Sequence, residues 1–126
     1  MISIDFKSET ASSSSTKEII NLYHGTLNST EFKFYIVSGK LYVSSRIGIR
    51  SFSGVTINND TWYKLTVFYT STSATIYINT TSLGTIDYTY SNLFSACTLY
   101  LGGKANTYKL DGLLSNLVIS KTSISS

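Results

Sequence analysis

The chain has 126 residues, a formal net charge of +3, 22 Ser, 17 Thr, one Cys, one His, no Pro and only 17 charged side chains. That length holds one hydrophobic core without disulfide or metal staples. Ten Lys and Arg scattered singly do not form the clustered basic stripe of a nucleic-acid-binding protein. Lone Cys97 excludes an internal disulfide and a thiolate metal cluster, and no segment approaches the ~20 apolar residues of a membrane-spanning helix. Nucleic acid and membrane insertion are therefore not expected.

Hydrophobic content of 42% with ten Tyr and six Phe indicates a globular chain despite its Ser/Thr excess. Val, Ile, Thr, Tyr and Phe suit a pleated surface, so β structure is favoured. Met1-Ile2-Ser3-Ile4-Asp5 is not a basic-then-apolar signal peptide. Three Asn-x-Ser/Thr sequons, at Asn28, Asn59 and Asn79, are what chance gives in a chain this rich in hydroxyls.

Ile2, Ile4 and Phe6 alternate with Ser3, Asp5 and Lys7, the period of a half-buried strand. The run from Ser8 to Thr16 reads as a loop. Ile20 and Leu22 share one face of a second strand ending at His24-Gly25, with His24 expected at the surface. The clearest hairpin runs from Phe32 to Val37, turns at Ser38-Gly39 and returns from Lys40 to Ser45. A two-residue turn pairs Val37 with Lys40, Ile36 with Leu41, Tyr35 with Tyr42 and Phe34 with Val43. Its apolar residues then share one face, and Tyr35 and Tyr42 meet on the other.

A second hairpin is predicted from Trp62 to Thr70, with a turn at Ser71-Thr72 and a return through Ser73 to Asn79. Pairing Tyr69 with Ala74, Val67 with Ile76 and Leu65 with Ile78 gives one apolar face. Phe68 and Tyr77 fall diagonally on the opposite one. Asn58-Asn59-Asp60 carries turn chemistry, and Leu83-Gly84 marks another expected reversal. Leu99-Tyr100-Leu101 is expected as a short buried strand closed by a loop at Gly102-Gly103, with Cys97 nearby as a small buried hydrophobe. Leu110 to Ile119 closes the chain as a long strand, with Gly112 where a neighbouring backbone or ring approaches closely. Nine to eleven short strands and no amphipathic helix indicate an all-β, two-sheet antiparallel sandwich spanning residues 1–126.

Four segments in this order resemble the laminin G-like, or concanavalin A-like, jelly roll. They are Ile2-Ser3-Ile4-Asp5-Phe6-Lys7, the strand ending His24-Gly25, Asn59 to Val67 with its return Ala74 to Asn79, and Leu99-Tyr100-Leu101-Gly102-Gly103 followed by the Leu110 to Ile119 pattern. The resemblance implies a recognition module of secreted, cell-surface or viral proteins whose ligands are glycans or other proteins. It also implies a further strand before Ile2, pairing near the closing strand, which this chain begins too late to contain. Animal members often carry a disulfide near the last strand. Leu113 stands where one of its cysteines would be, which suits a bacterial or bacteriophage origin.

Hydrolases of this fold need two carboxylates opposed across the substrate. The seven acids here, Asp5, Glu9, Glu18, Glu31, Asp60, Asp87 and Asp111, are never closer than four positions apart, so their strand motif is absent and no catalytic residue is assigned. The family's metal, where present, is calcium, and Glu31 and Asn92 are the nearest candidates for its protein oxygens. Two or three such oxygens make a weak site.

The outward aromatics Tyr35, Tyr42, Phe68, Tyr77 and Tyr23 are the candidate ligand-binding residues. Tyr rings stack on the C–H faces of sugars while hydroxyl and amide groups satisfy the sugar hydroxyls. The expectation is a non-catalytic, lectin-like carbohydrate-binding module of an adhesion protein outside the cell or on a virion surface, such as a bacteriophage tail or receptor-binding component. Its partner would be a glycan or cell-surface receptor. The alternative is a structural protein-protein interaction domain that joins other chains of the same particle.

Overall fold

The computed structural model describes residues 1–25, 29–45, 48–70, 73–87, 97–104 and 108–120. Ten strands follow in chain order: β1 (Ile2–Ser8), β2 (Lys17–His24), β3 (Ser29–Val37), β4 (Lys40–Ser45), β5 (Gly48–Phe52), β6 (Tyr63–Tyr69), β7 (Ser73–Ile78), β8 (Thr81–Asp87), β9 (Cys97–Leu101) and β10 (Gly112–Ile119). They form two antiparallel five-stranded sheets, ordered β10-β1-β6-β7-β8 and β5-β4-β3-β2-β9. Between the sheets lie Ile2, Ile4, Phe6, Leu65, Val67 and Ile76 from one, and Ile20, Phe32, Phe34, Ile36, Leu41 and Val43 from the other. Burying each such side chain contributes roughly 1.5–3 kcal/mol, so the alternation of apolar residues fixes which way these strands face.

Both predicted hairpin registers are present. Val37 pairs with Lys40, Tyr35 with Tyr42 and Phe34 with Val43, while Leu65 pairs with Ile78 and Tyr69 with Ala74. The first turn needs two left-handed residues, which Ser38 (φ 52°) and Gly39 (φ 74°) supply. Gly112 meets the predicted close approach: a Cβ there would land on the carbonyl oxygen of Lys7 in β1.

Several expectations are corrected. His24 is buried, because alternation along β2 turns Tyr23 outward and leaves His24 on the same side as the buried Leu22. Leu83-Gly84 is not a reversal. The chain turns at Asn79-Thr80, and Gly84 lies inside β8, which is bulged against β7. Trp62 precedes β6 and is largely exposed. Cys97 begins β9 and is only half-buried, and the strand expected to be buried is an edge strand with Leu99 and Tyr100 half-buried and Leu101 exposed. Strands β5 and β8 carry no strong alternation and were not legible as strands. Arg50 of β5 links them across one margin of the sandwich, its Nη1 donating to the Thr85 carbonyl at 2.9 Å.

Candidate functional site

Period-2 alternation that sends Phe34, Ile36, Leu41 and Val43 inward sends Lys33, Tyr35 and Tyr42 outward, and the registers of neighbouring strands extend these residues into rows. One row crosses the outer face from Ser51 through Tyr42 and Tyr35 to Glu18. The adjacent row runs from Ser44 through Lys33 and Asn21 to Tyr100. The Tyr35 and Tyr42 rings are stacked, with centroids 5.3 Å apart and planes 7° from parallel. Burial, with the neighbouring Tyr42 phenol adding to it, raises the Tyr35 hydroxyl above the usual tyrosine range.

Beside this stack the polar groups are fixed. Glu18, only 2% exposed, accepts from the Asn21 side-chain amide at 3.1 Å and the Lys104 backbone N–H at 3.3 Å. Its second oxygen lies 3.8 Å from the Lys33 ammonium. That ammonium also sits 5.5 Å from the Tyr35 ring centre and 5.6 Å from Tyr108. Among the described residues the buried Asn21 Oδ1 has no hydrogen-bond partner. Turning the amide over would place that oxygen against the Glu18 carboxylate, so the orphan is the lesser penalty.

A second aromatic group lies at the β9 side of the same sheet. Tyr23 and Tyr100 meet edge to face at 6.4 Å. The Lys104 ammonium lies 4.2 Å from the Tyr23 ring and 5.7 Å from Tyr100, cation–π geometry in both cases.

The five aromatics singled out from sequence do not form one surface. Tyr35, Tyr42 and Tyr23 lie on the outer face of the β5-β4-β3-β2-β9 sheet. Phe68 and Tyr77, edge to face at 5.6 Å, lie on the outer face of the other sheet, across the full thickness of the sandwich. Lys33, Tyr100, Glu18, Asn21, Lys104 and Tyr108 join the first group and were not singled out. The outward position of Lys33 and Tyr100 was legible from their apolar neighbours. Their adjacency was not, because β2 separates β3 from β9.

The metal candidates Asn92 and the Glu31 side chain lie outside the described residues. Among the described residues no group of three or more His, Cys, Asp or Glu side chains converges as a metal site would require. No helix among them is long and apolar enough to cross a membrane.

No curated protein sequence matches the chain. Several solved structures resemble it. The LG1-3 region of the laminin alpha2 chain superposes with a TM-score of 0.68 at 14% identity, covering 93% of this chain and 27% of that one. Domains LG4-5 of the mouse laminin alpha1 chain give 0.66 at 14% identity, covering 92% and 33%. The chain therefore spans about a third or less of these laminin structures. A congerin II double mutant gives 0.61 at 13% identity, covering 93% of this chain and 87% of that one. At such identities the likeness is one of fold. The sequence model described as the concanavalin A-like lectin/glucanases superfamily matches residues 4–126. With its two five-stranded sheets and its laminin neighbours, the chain is a laminin G-like member of the concanavalin A-like lectin/glucanase superfamily.

Proposed function

We propose that the chain is a non-catalytic carbohydrate-recognition module of an adhesion protein outside the cell or on a virion, such as a bacteriophage tail or receptor-binding component. Its sugar site is the outer face carrying Tyr35, Tyr42 and Lys33. The observation that carries this reading is the Tyr35–Tyr42 stack running directly into a polar row fixed by the buried Glu18. Stacked phenols offer a flat apolar surface to the C–H face of a pyranose, and their hydroxyls, the Lys33 ammonium and the Ser44 and Ser51 hydroxyls offer hydrogen bonds at its rim. The superfamily description and the lectin-like fold support the same reading. Affinity per site would be weak and would rise with multivalent display.

The test is a glycan array probed with the chain and with its Tyr35→Ala/Tyr42→Ala variant. The parent should bind a restricted set of glycans, and the variant should lose at least about tenfold in signal while keeping the fold. A chain that binds no sugar at multivalent display, or a variant that binds unchanged, overturns the proposal. The first of these outcomes would favour the protein-assembly role.

A further inference from the structure

Glu18, Asn21 and Lys33 meet in an arrangement that recognition of a sugar does not require. Asn21 of β2 and Lys33 of β3 stand directly opposite each other in the antiparallel ladder, both on the outer face. Opposed residues of such a pair have Cα atoms about 4.5–5.5 Å apart, so the lysine arm reaches the asparagine carboxamide by side-chain torsions alone. One carboxylate serves both. Oε1 of Glu18 accepts from Nδ2 of Asn21 at 3.1 Å, and Oε2 lies 3.8 Å from Nζ of Lys33.

The three groups are also sheltered. Glu18 and Asn21 are 2% and 3% exposed, and the Lys33 ammonium lies within 5.6 Å of the Tyr35 and Tyr108 ring centres. Lys104 gives Glu18 only its backbone N–H, while its ammonium sits 4.2 Å from the Tyr23 ring, so Lys33 is the amine placed to react. Among the described residues Oδ1 of Asn21 accepts no hydrogen bond, which leaves it open to a donor when negative charge develops on it.

We propose that Lys33 and Asn21 join in an intramolecular isopeptide bond whose formation Glu18 catalyses. The Lys33 ammonium passes a proton to Oε2 of Glu18, and the amine attacks Cγ of Asn21. The Nζ–Cγ bond forms and the Cγ–Nδ2 bond breaks, with Glu18 giving its proton to the departing Nδ2. The acylated Nζ then sheds a proton through Glu18 to the released ammonia. One ammonium and one carboxamide thus become one secondary amide and one ammonium ion, and Glu18 ends as it began. The step consumes no oxidant, cofactor or water. The bond pins β2 to β3 beside the Tyr35–Tyr42 stack, its N–H and carbonyl stay in the same polar row, and it stands whatever that face binds.

Intact-mass spectrometry of the folded chain should find it lighter than its sequence by one ammonia. Tryptic digestion should leave Asn21 and Lys33 in one branched peptide, uncut after Lys33. Lys33→Arg, which keeps the positive charge beside Glu18, and Asn21→Ala should both show the full sequence mass, while Lys40→Arg, at an exposed turn position, should still show the loss. Glu18→Gln should slow the loss at least about tenfold, with circular dichroism reporting the fold. A measurement free of substitutions covers a variant that fails to fold: chain made by chemical synthesis and held in urea should carry the full mass and lose the ammonia only after refolding. Full sequence mass in the folded parent chain overturns the proposal. So does a loss that persists in Lys33→Arg, maps to another pair of residues, or proceeds equally fast in urea.

Discussion

Tyr35 and Tyr42 stack across the β3–β4 pair with centroids 5.3 Å apart, on the opposite side of the sandwich from the Phe68–Tyr77 edge contact. The two aromatic pairs can therefore be tested against each other. Phe68→Ala/Tyr77→Ala should leave glycan-array binding unchanged while Tyr35→Ala/Tyr42→Ala removes it. Either double variant should lower stability by about 0.5–1.5 kcal/mol from the lost ring contact, plus the lost apolar burial. Chemical denaturation monitored by circular dichroism checks the stability, and the array checks the binding. Equal loss of binding in both variants would mean that the platform is not confined to one face.

Glu18 organises the polar row, and its removal should be costly. In Glu18→Ala the buried Asn21 amide and the Lys104 N–H lose their acceptor, and the Lys33 ammonium loses its carboxylate. Each buried polar group left unsatisfied costs roughly 1–3 kcal/mol. A loss of about 3 kcal/mol is expected in urea denaturation, with Glu18→Gln costing less because its amide oxygen still accepts. A loss below about 1 kcal/mol would show that water replaces the carboxylate freely.

Gly112→Ala should destabilise the fold by about 3 kcal/mol or more, since the new methyl meets the backbone carbonyl of Lys7, which cannot move without breaking the β1–β10 ladder. Differential scanning calorimetry would report this as a large fall in Tm. Gly54→Ala, whose added methyl would make ordinary contact with the Leu83 side chain, should change Tm little.

Two carboxylates tie stability to pH at the same junction. A hydrogen bond from Asn116, aided by Lys64, holds Asp5 below its ordinary value. At Asp111 burial pushes upward, but hydrogen bonds from Thr10 and Ser8 outweigh it and the carboxyl titrates low. A depressed folded value means that the unfolded chain binds more protons as pH falls. The stabilisation is thus present above the unfolded value of 3.8 and is lost as pH drops through the lower folded values. Tm should fall below about pH 4, and Asp111→Asn should flatten that fall while costing roughly 1 kcal/mol at neutral pH. An unchanged acid slope in the variant would remove Asp111 from the account.

The alternation in Ile2 to Lys7, the turn at Ser38-Gly39 and the pairing of Tyr35 with Tyr42 were all legible in the sequence, because hairpin register depends on residues a few positions apart. Gly112 was legible for a similar reason, as a glycine inside a strand pattern, where a close backbone approach is the common cause. The membership of each hairpin was not. β3–β4 and β6–β7 have the same local pattern, and only the long-range pairings of β1 with β6 and β2 with β9 assign them to opposite sheets.

That assignment separated Tyr35 and Tyr42 from Phe68 and Tyr77, and brought Glu18, Asn21 and Tyr100 beside Lys33. The sequence by itself determined an all-β sandwich, two hairpin registers and the direction in which each of their side chains points, since a period of two leaves no other choice. The tertiary structure alone decided which outward residues share a face. Strand neighbours far apart in the chain are chosen by burial of the whole core, and no local pattern encodes them.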